Sequence, residues 1–441
     1  MSPTNWPRRK FLIFSAVSTG ALTLTACGGN NEAFAPRNAY KQEILAASSP
    51  SYKARFTFPE MVNAWGIAIR PKGAGGHFWV TAGGKSWQFV GDATKSTEPA
   101  LNVLFQDGLK EVTIPGADSI TDDTSIGKAT GTIFNGADIN SSLFRVTGQT
   151  AKVGNEIIEF DGSARFIFVT DSGYVTAWTE RAKSGAIVRV DGPAKEMFDG
   201  STQDMAFFGV AIKPDSWNRL WLVDFGARPQ IRTLDENWKL MDTVGFANPF
   251  ATGPLIDVMN ADKGKQPRPG DPVPFNIQVV GTRVFVTYCI SRADKSDPSK
   301  FFKAEEDGLD AAAEKQTQFQ PDKGKFVEYD INGKLLRIFK DDRRLNAPWG
   351  VAVAPSNFGK LSNTVLVGNF AGHGTIAAFN DRTGEFIDFM KTESGDLVKI
   401  PGLWALLFGN GESLGDSNAL YFAAGPNDEK EGLFGSLRSL D

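Results

Sequence analysis

A two-strand unit recurs along this chain, and the recurrence restricts the fold more than any single motif does. In Leu345 to Phe370, LNAPWGVAVAPSNFGKLSNTVLVGNF, a Trp-Gly pair opens an apolar strand, a Pro-containing turn follows, and a second apolar strand runs to a Gly-Asn end. Asn63 to Thr81 (NAWGIAIRPKGAGGHFWVT) and Phe207 to Phe225 (FFGVAIKPDSWNRLWLVDF) repeat the pattern almost openly. Weaker copies pair Ala129–Asn135 with Arg165–Asp171, Pro274–Val280 with Arg283–Tyr288, and Pro401–Phe408 with Ala419–Ala423. A repeated unit of this kind buries its apolar faces only against its neighbours, so the copies must stack into one architecture.

Counted from Gly66, Gly131, Gly209, Asn276, Gly350 and Ala405, the units start 65, 78, 67, 74 and 55 residues apart. A four-stranded propeller blade needs about 40 to 50 residues, so these are blades with insertions. Hairpins complete most units: Lys325–Asp330 with Lys334–Phe339 across an Asn-Gly turn, Thr375–Asn380 with Glu385–Met390, Gln230–Leu234 with Lys239–Val244, and Tyr174–Trp178 with Ala186–Val190. The expected fold is an all-β, six-bladed β-propeller, with blades starting near residues 63, 129, 207, 274, 347 and 401. Two β-sandwiches would suit the strand spacing, but not the six-fold similarity. The sixth unit lacks an outermost strand, and Tyr40–Ala46 or Lys53–Thr57 is placed to supply it and close the ring. Gly136–Ala164 reads as an extra hairpin. Ser291–Lys323 is a charged insertion holding a short helix at Lys303–Gln316.

The first 26 residues read as a targeting segment. Arg8, Arg9 and Lys10 precede an apolar stretch too short to span a membrane, and Leu24-Thr25-Ala26-Cys27 resembles the lipobox of bacterial lipoproteins, in which the cysteine is acylated. Arg8-Arg9-Lys10-Phe11-Leu12 resembles a twin-arginine export signal, the alternative being the general secretory route. Residues 27–38 are polar and form a tether, and 39–441 form the propeller. The chain carries a net charge of −4; without Arg8, Arg9 and Lys10 this becomes −7. An acidic body is not drawn to anionic lipid, so the lipid on Cys27 is the expected anchor, facing the periplasm or the exterior. No basic stripe is present, which argues against nucleic acid. With Cys27 acylated, Cys289 in VFVTYCI is expected to be a buried strand cysteine.

The run of PWGVAVAP, VLVGNF, PFNI, GLWAL, LYFAAG and GLFG resembles a family of exported bacterial β-propeller proteins, several of which carry cell-surface sorting tails. The match covers nearly all of Asn63 to Gly435, although this chain has a lipobox and no such tail. That family implies no catalytic residues. More loosely, the six units look like NHL and lactonase-type propellers.

In a propeller the loop entering each inner strand and the loop joining its second and third strands share a face, where ligand sites gather. Asn63, Asp204, Asn346, Asp122 and Asp123 lie on entering loops, and Asp171, Asp224, Asn369 and His373 on second-to-third loops. The charged insertion belongs to the same face. A ring of Asp and Asn offers oxygen ligands to Ca²⁺, or caps turns by bonding backbone. Of the two histidines, His77 begins a second strand on the opposite face, which leaves His373 as the candidate base. No G-x-S-x-G elbow, H-E-x-x-H or Cys-His cluster is present. Trp65, Trp349 and Trp404 are expected to pack between blades rather than stack on sugars. The expected function is that of a monomeric platform binding an envelope protein or a glycan. The alternative is a Ca²⁺-dependent hydrolase of lactonase or esterase type, with Asp171, Asp224 and Asn369 on the metal. A quinone-cofactor dehydrogenase ranks behind both.

Overall fold

The computed structural model describes residues 35–117, 127–293, 304 and 320–441. Pro36–Asp441 forms one compact unit. The leader, Cys27, Asp122, Asp123 and nearly all of the expected helix Lys303–Gln316 lie outside the described residues.

Six sheets of four or five strands follow one another, each built outward from an inner strand: Ile67–Ala68, Ala129–Phe134, Phe207–Ile212, Pro272–Val280, Pro348–Val353 and Leu403–Phe408. Each inner strand contacts the next, and the sixth contacts the first, so the sheets form a closed ring of blades. This is the expected six-bladed β-propeller. The strands are buried on both faces, as their continuous apolar sequences require.

The ring closes through Tyr40–Ala47. This strand pairs antiparallel with Leu433–Ser439 as the fourth strand of blade six, from Tyr40 opposite Ser439 to Ala47 opposite Leu433, with a bulge between Ile44 and Ala46. Phe56–Thr57 adds a fifth strand beyond it. Both candidate segments therefore lie in that blade, in that order. A buried network ties blade six to blade one: the Tyr421 hydroxyl donates to Asp92 Oδ2 at 2.6 Å, and Arg438 pairs with Asp92 at 2.6 Å and with Asp416 at 3.3 Å.

The repeated glycines have one cause. A Cβ on Gly66 would lie 2.7 Å from the Thr130 carbonyl of blade two, one on Gly131 3.1 Å from the Val210 nitrogen of blade three, and one on Gly350 2.8 Å from the Leu406 nitrogen of blade six. Glycine is kept where each inner strand meets its neighbour's backbone. At the equivalent place in blade four, Asn276 instead reaches into blade five and donates to the Trp349 carbonyl at 2.9 Å.

Arg145–Val153 and Glu156–Ser163 form the expected extra hairpin. One assignment needs correction. The outer strand of blade two is Lys195–Asp199, not Ala186–Val190. Residues 180–188 turn back on themselves, with Val188 N donating to the Glu180 carbonyl and the Arg189 guanidinium 2.6 Å from the Glu180 carboxylate. Gly192–Pro193 then pairs with the edge of blade one before the chain returns to blade two.

Candidate functional site

The side chains that open the inner strands do not line an accessible mouth. Trp65, Phe208, Phe275, Trp349 and Trp404 come from blades one, three, four, five and six, and all are buried. Trp65 and Trp404 stack at 3.6 Å between ring centres, and Phe370 stacks on the other face of Trp404 at 3.8 Å. Several contacts skip a blade: Trp65 meets Phe208 edge-on at 5.3 Å, Trp65 meets Trp349 at 6.4 Å, and Phe275 meets Trp404 at 5.8 Å. Such pairs span the ring axis. Trp65, Trp349 and Trp404 pack between adjoining blades as expected, Trp65 on Trp404 and Trp349 against Trp404, and the same rings also meet across the axis: they form an aromatic layer across the channel at its entering end. Polar bonds fix the layer, since Asn63 Oδ1 accepts from Trp404 Nε1 at 2.8 Å and Trp349 Nε1 donates to the Phe208 carbonyl at 3.2 Å.

Asn63 bonds across to blade six, but Asp171, Asp224 and Asn369 act within their own blades. Asp171 Oδ1 accepts from Gly127 N and Lys128 N at 2.7 and 2.6 Å, on the loop entering blade two. Asp224 Oδ1 accepts from Ala206 N and Gly226 N at 3.2 and 3.0 Å, on the loop entering blade three and just after Asp224 itself. Asn369 Oδ1 accepts from Asn346 N at 2.9 Å, on the loop entering blade five. In three blades, then, the residue ending the second strand clasps the loop that starts the first. Asp224 also pairs with Arg232 at 2.9 Å; burial lifts its carboxyl above the ordinary aspartate range against the pull of that guanidinium and the two N–H groups. Asn346 is buried, and its side-chain oxygen has no hydrogen-bond partner among the described residues. Asp204 and His373 are exposed. Among the described residues no group of three or more His, Cys, Asp or Glu side chains is placed to hold a metal ion. Cys289 is buried, as expected.

Two charged clusters carry no repeat signature and were not foreseen. Glu429 receives Asn63 Nδ2 and Lys128 Nζ, each at 2.8 Å, and so joins blades six, one and two on the entering side. On the opposite side Glu180 is buried between Arg70 at 2.8 Å and Arg189 at 2.6 Å. Burial raises its carboxyl, but the two guanidinium groups outweigh burial and hold it below the usual glutamate value. His77 does lie on that opposite side, with Nε2 2.7 Å from Asp107 Oδ1; burial holds the imidazole below its ordinary value.

The open space of the channel is on this second side. Beyond the aromatic layer the channel widens into a cavity of about 590 Å³, bounded by the later halves of the inner strands and the loops that follow them. Its wall includes Ile69, Ile133, Phe134, Ile212, Val279 and Leu407, and no ionisable side chain. The polar side chains there are Thr132, Asn276 and Gln278. Asn276 is spent on the Trp349 carbonyl, and Gln278 bridges blades by donating to the Leu406 carbonyl at 3.2 Å and accepting from Val351 N at 3.1 Å. The accessible end of the channel is thus the one opposite to that expected from the polar loops. The signal was present in the alternating apolar residues that end each inner strand, which read equally well as core.

No family model matches the chain. It is 26% identical over 409 residues to the uncharacterized protein R648 of Acanthamoeba polyphaga mimivirus, covering 92% of this chain and 82% of that one. Two further proteins of the same virus, L690 and R640, match at 27% over 220 residues and 26% over 208, and the chain spans 49% and 32% of their lengths. Among solved structures, the β-propeller domain of Myceliophteria thermophila Cps50 (Swd1) aligns at 10% identity and TM-score 0.37, covering 86% of this chain and 84% of that one. The WD40 propeller of Doa1 aligns at 9% and 0.38, covering 85% and 93%.

Proposed function

We propose that this protein is a binding module, a propeller held at a membrane by lipid on Cys27, which receives an apolar group of an envelope protein at the open end of its channel. The observation that carries the reading is the cavity of about 590 Å³ with no ionisable group on its wall. A general acid or base must reach the reacting atoms within hydrogen-bond distance, and this wall offers neither. A glycan would need free hydrogen-bonding partners, whereas Asn276 and Gln278 are committed to backbone. On this reading Asp171, Asp224 and Asn369 serve the fold, and His373 has no role in chemistry. The anchor, the export route and placement in the envelope rest on residues 1–27 alone, since the relatives are viral.

Two experiments test it. Growth with labelled palmitate should label the full chain and leave Cys27→Ala unlabelled and in the soluble fraction. Photo-cross-linking residues at Ala74, on the open side, and at Gly372, on the plugged side, should capture a protein partner through the first position only. Capture at neither position, or turnover of lactones or esters lost in His373→Ala, would overturn the binding reading.

A further inference from the structure

The channel has the build of a site for one hydrocarbon chain. It is blind, because Trp349 and the aromatic layer behind it close its inner end, and inner-strand residues of five blades form its wall. Its size lies within the range of about 300 to 1,000 Å³ of ligand sites. The Thr132 hydroxyl is buried away from the space, and Gln278 and the Asn276 amide nitrogen are already bonded within the protein. Water in such a space finds few partners, and replacing poorly held water by an apolar group is favourable.

Three features set the shape of the guest. Trp217 and Pro214, from the loop after the third inner strand, stand at the mouth. Gln278 crosses from blade four to the Leu406 carbonyl of blade six, so blade five contributes Trp349 and little else to the wall. Of the charged side chains next to wall residues, Lys213 pairs with Asp215 at 3.4 Å and Arg70 with Glu180 at 2.8 Å, while Lys72, between the wall residues Pro71 and Ala74, is exposed to solvent. No side chain on the wall carries a charge, so nothing inside selects a charged headgroup.

We infer that the well binds a hydrocarbon chain end-on, with its polar end left in solvent. This rests on the reading above that the well receives an apolar group, and it puts a hydrocarbon chain in place of a protein group as the occupant. The chain can be free or can belong to a lipid.

The test uses the full chain carrying Cys27→Ala, so that no attached lipid or detergent competes. Alkan-1-ols of about six to fourteen carbons are titrated, with binding read from tryptophan fluorescence, since Trp217 and Trp349 line the well. Each added methylene should tighten the dissociation constant about four-fold until the well is full, after which the gain stops. Ile133→Asp and Leu407→Asp, both at half-buried wall positions, should remove that dependence while leaving the melting temperature near that of the parent. Phosphatidylcholine vesicles form a second arm. Sedimentation with vesicles that is lost in Ile133→Asp assigns the chain to a lipid, and alkanol binding without sedimentation assigns it to a free chain. Affinity independent of chain length, or a length dependence unchanged in both wall variants, would overturn the inference. Cross-linking through Ala74 that persists in that case would leave the protein-binding reading standing.

Discussion

Asp224→Asn separates a structural carboxylate from a metal ligand. Asp224 is 1% exposed. The substitution keeps Oδ1 as acceptor for Ala206 N and Gly226 N, but it turns Oδ2 into an NH₂ that faces Arg232 Nε and Nη2, which lie 3.0 and 2.9 Å from the present oxygen. Two charge-assisted bonds at about 1.5–3 kcal/mol each are lost. Arg232 is 19% exposed and recovers part of its hydration. The net loss is about 3 kcal/mol, at the lower end of what breaking a buried pair costs. For a unit of about 400 residues, an unfolding entropy of about 2.1 cal/mol/K per residue converts this to a drop of about 3–4 °C in Tm if the ring unfolds cooperatively. Calorimetry should show the same drop with and without a chelator, and no rise on adding Ca²⁺. Adding Arg232→Gln should restore part of the loss, because the two positions share one interaction. A variant melting within about 1 °C of the parent would refute the clasp. A loss that disappears in chelator would mean that Asp224 acts through a metal.

Two other perturbations follow from the same geometry. Gly350→Ala puts a methyl 2.8 Å from the Leu406 nitrogen and should cost at least the 1–3 kcal/mol typical of overpacking, readable as a lower urea midpoint at unchanged slope; a neutral result would show that the inner strands can separate. Glu180 is held below the ordinary value of 4.5, so its stabilisation is complete above that pH and is lost as pH falls through the lower folded value. Glu180→Gln should therefore be less stable at neutral pH by about 3 kcal/mol, and its stability should fall less between pH 5 and 3 than that of the parent. Parallel pH curves would contradict the Arg70–Glu180–Arg189 assignment.

The ring was legible because its period is written in backbone constraints. Gly66, Gly131, Gly209 and Gly350 mark close approach between neighbouring strands, a requirement local enough to leave a residue type in the sequence. The outer strand of blade two was not legible, since Ala186–Val190 has strand-like composition and loses its place to the pairing of Arg189 with Glu180, a carboxylate also held by the sequence-distant Arg70. The open end of the channel was misplaced for a related reason. Polar residues at loop positions attract a functional reading, yet Asp171, Asp224 and Asn369 are consumed by the loops beside them. Periodicity also reports that Trp65, Trp349 and Trp404 are buried without reporting the direction they face, and direction decided which end of the channel stayed open.

The pairing of Tyr40–Ala47 with Leu433–Ser439 also fixes an order of assembly. Blades three, four and five are completed from strands consecutive in the chain, so each can form as soon as its own segment is available. Blade six cannot, because its outer strand precedes all the others by hundreds of residues. Until the last strands arrive, the Tyr40 segment and the Leu433 edge are both unpaired, and open edges of this kind recruit other chains. Long-range pairing of this type is slow. The ring therefore has a single seam, made last and reopened first, and hydrogen exchange at Lys41 to Ala46 should report on the integrity of the whole circle before any other blade loosens.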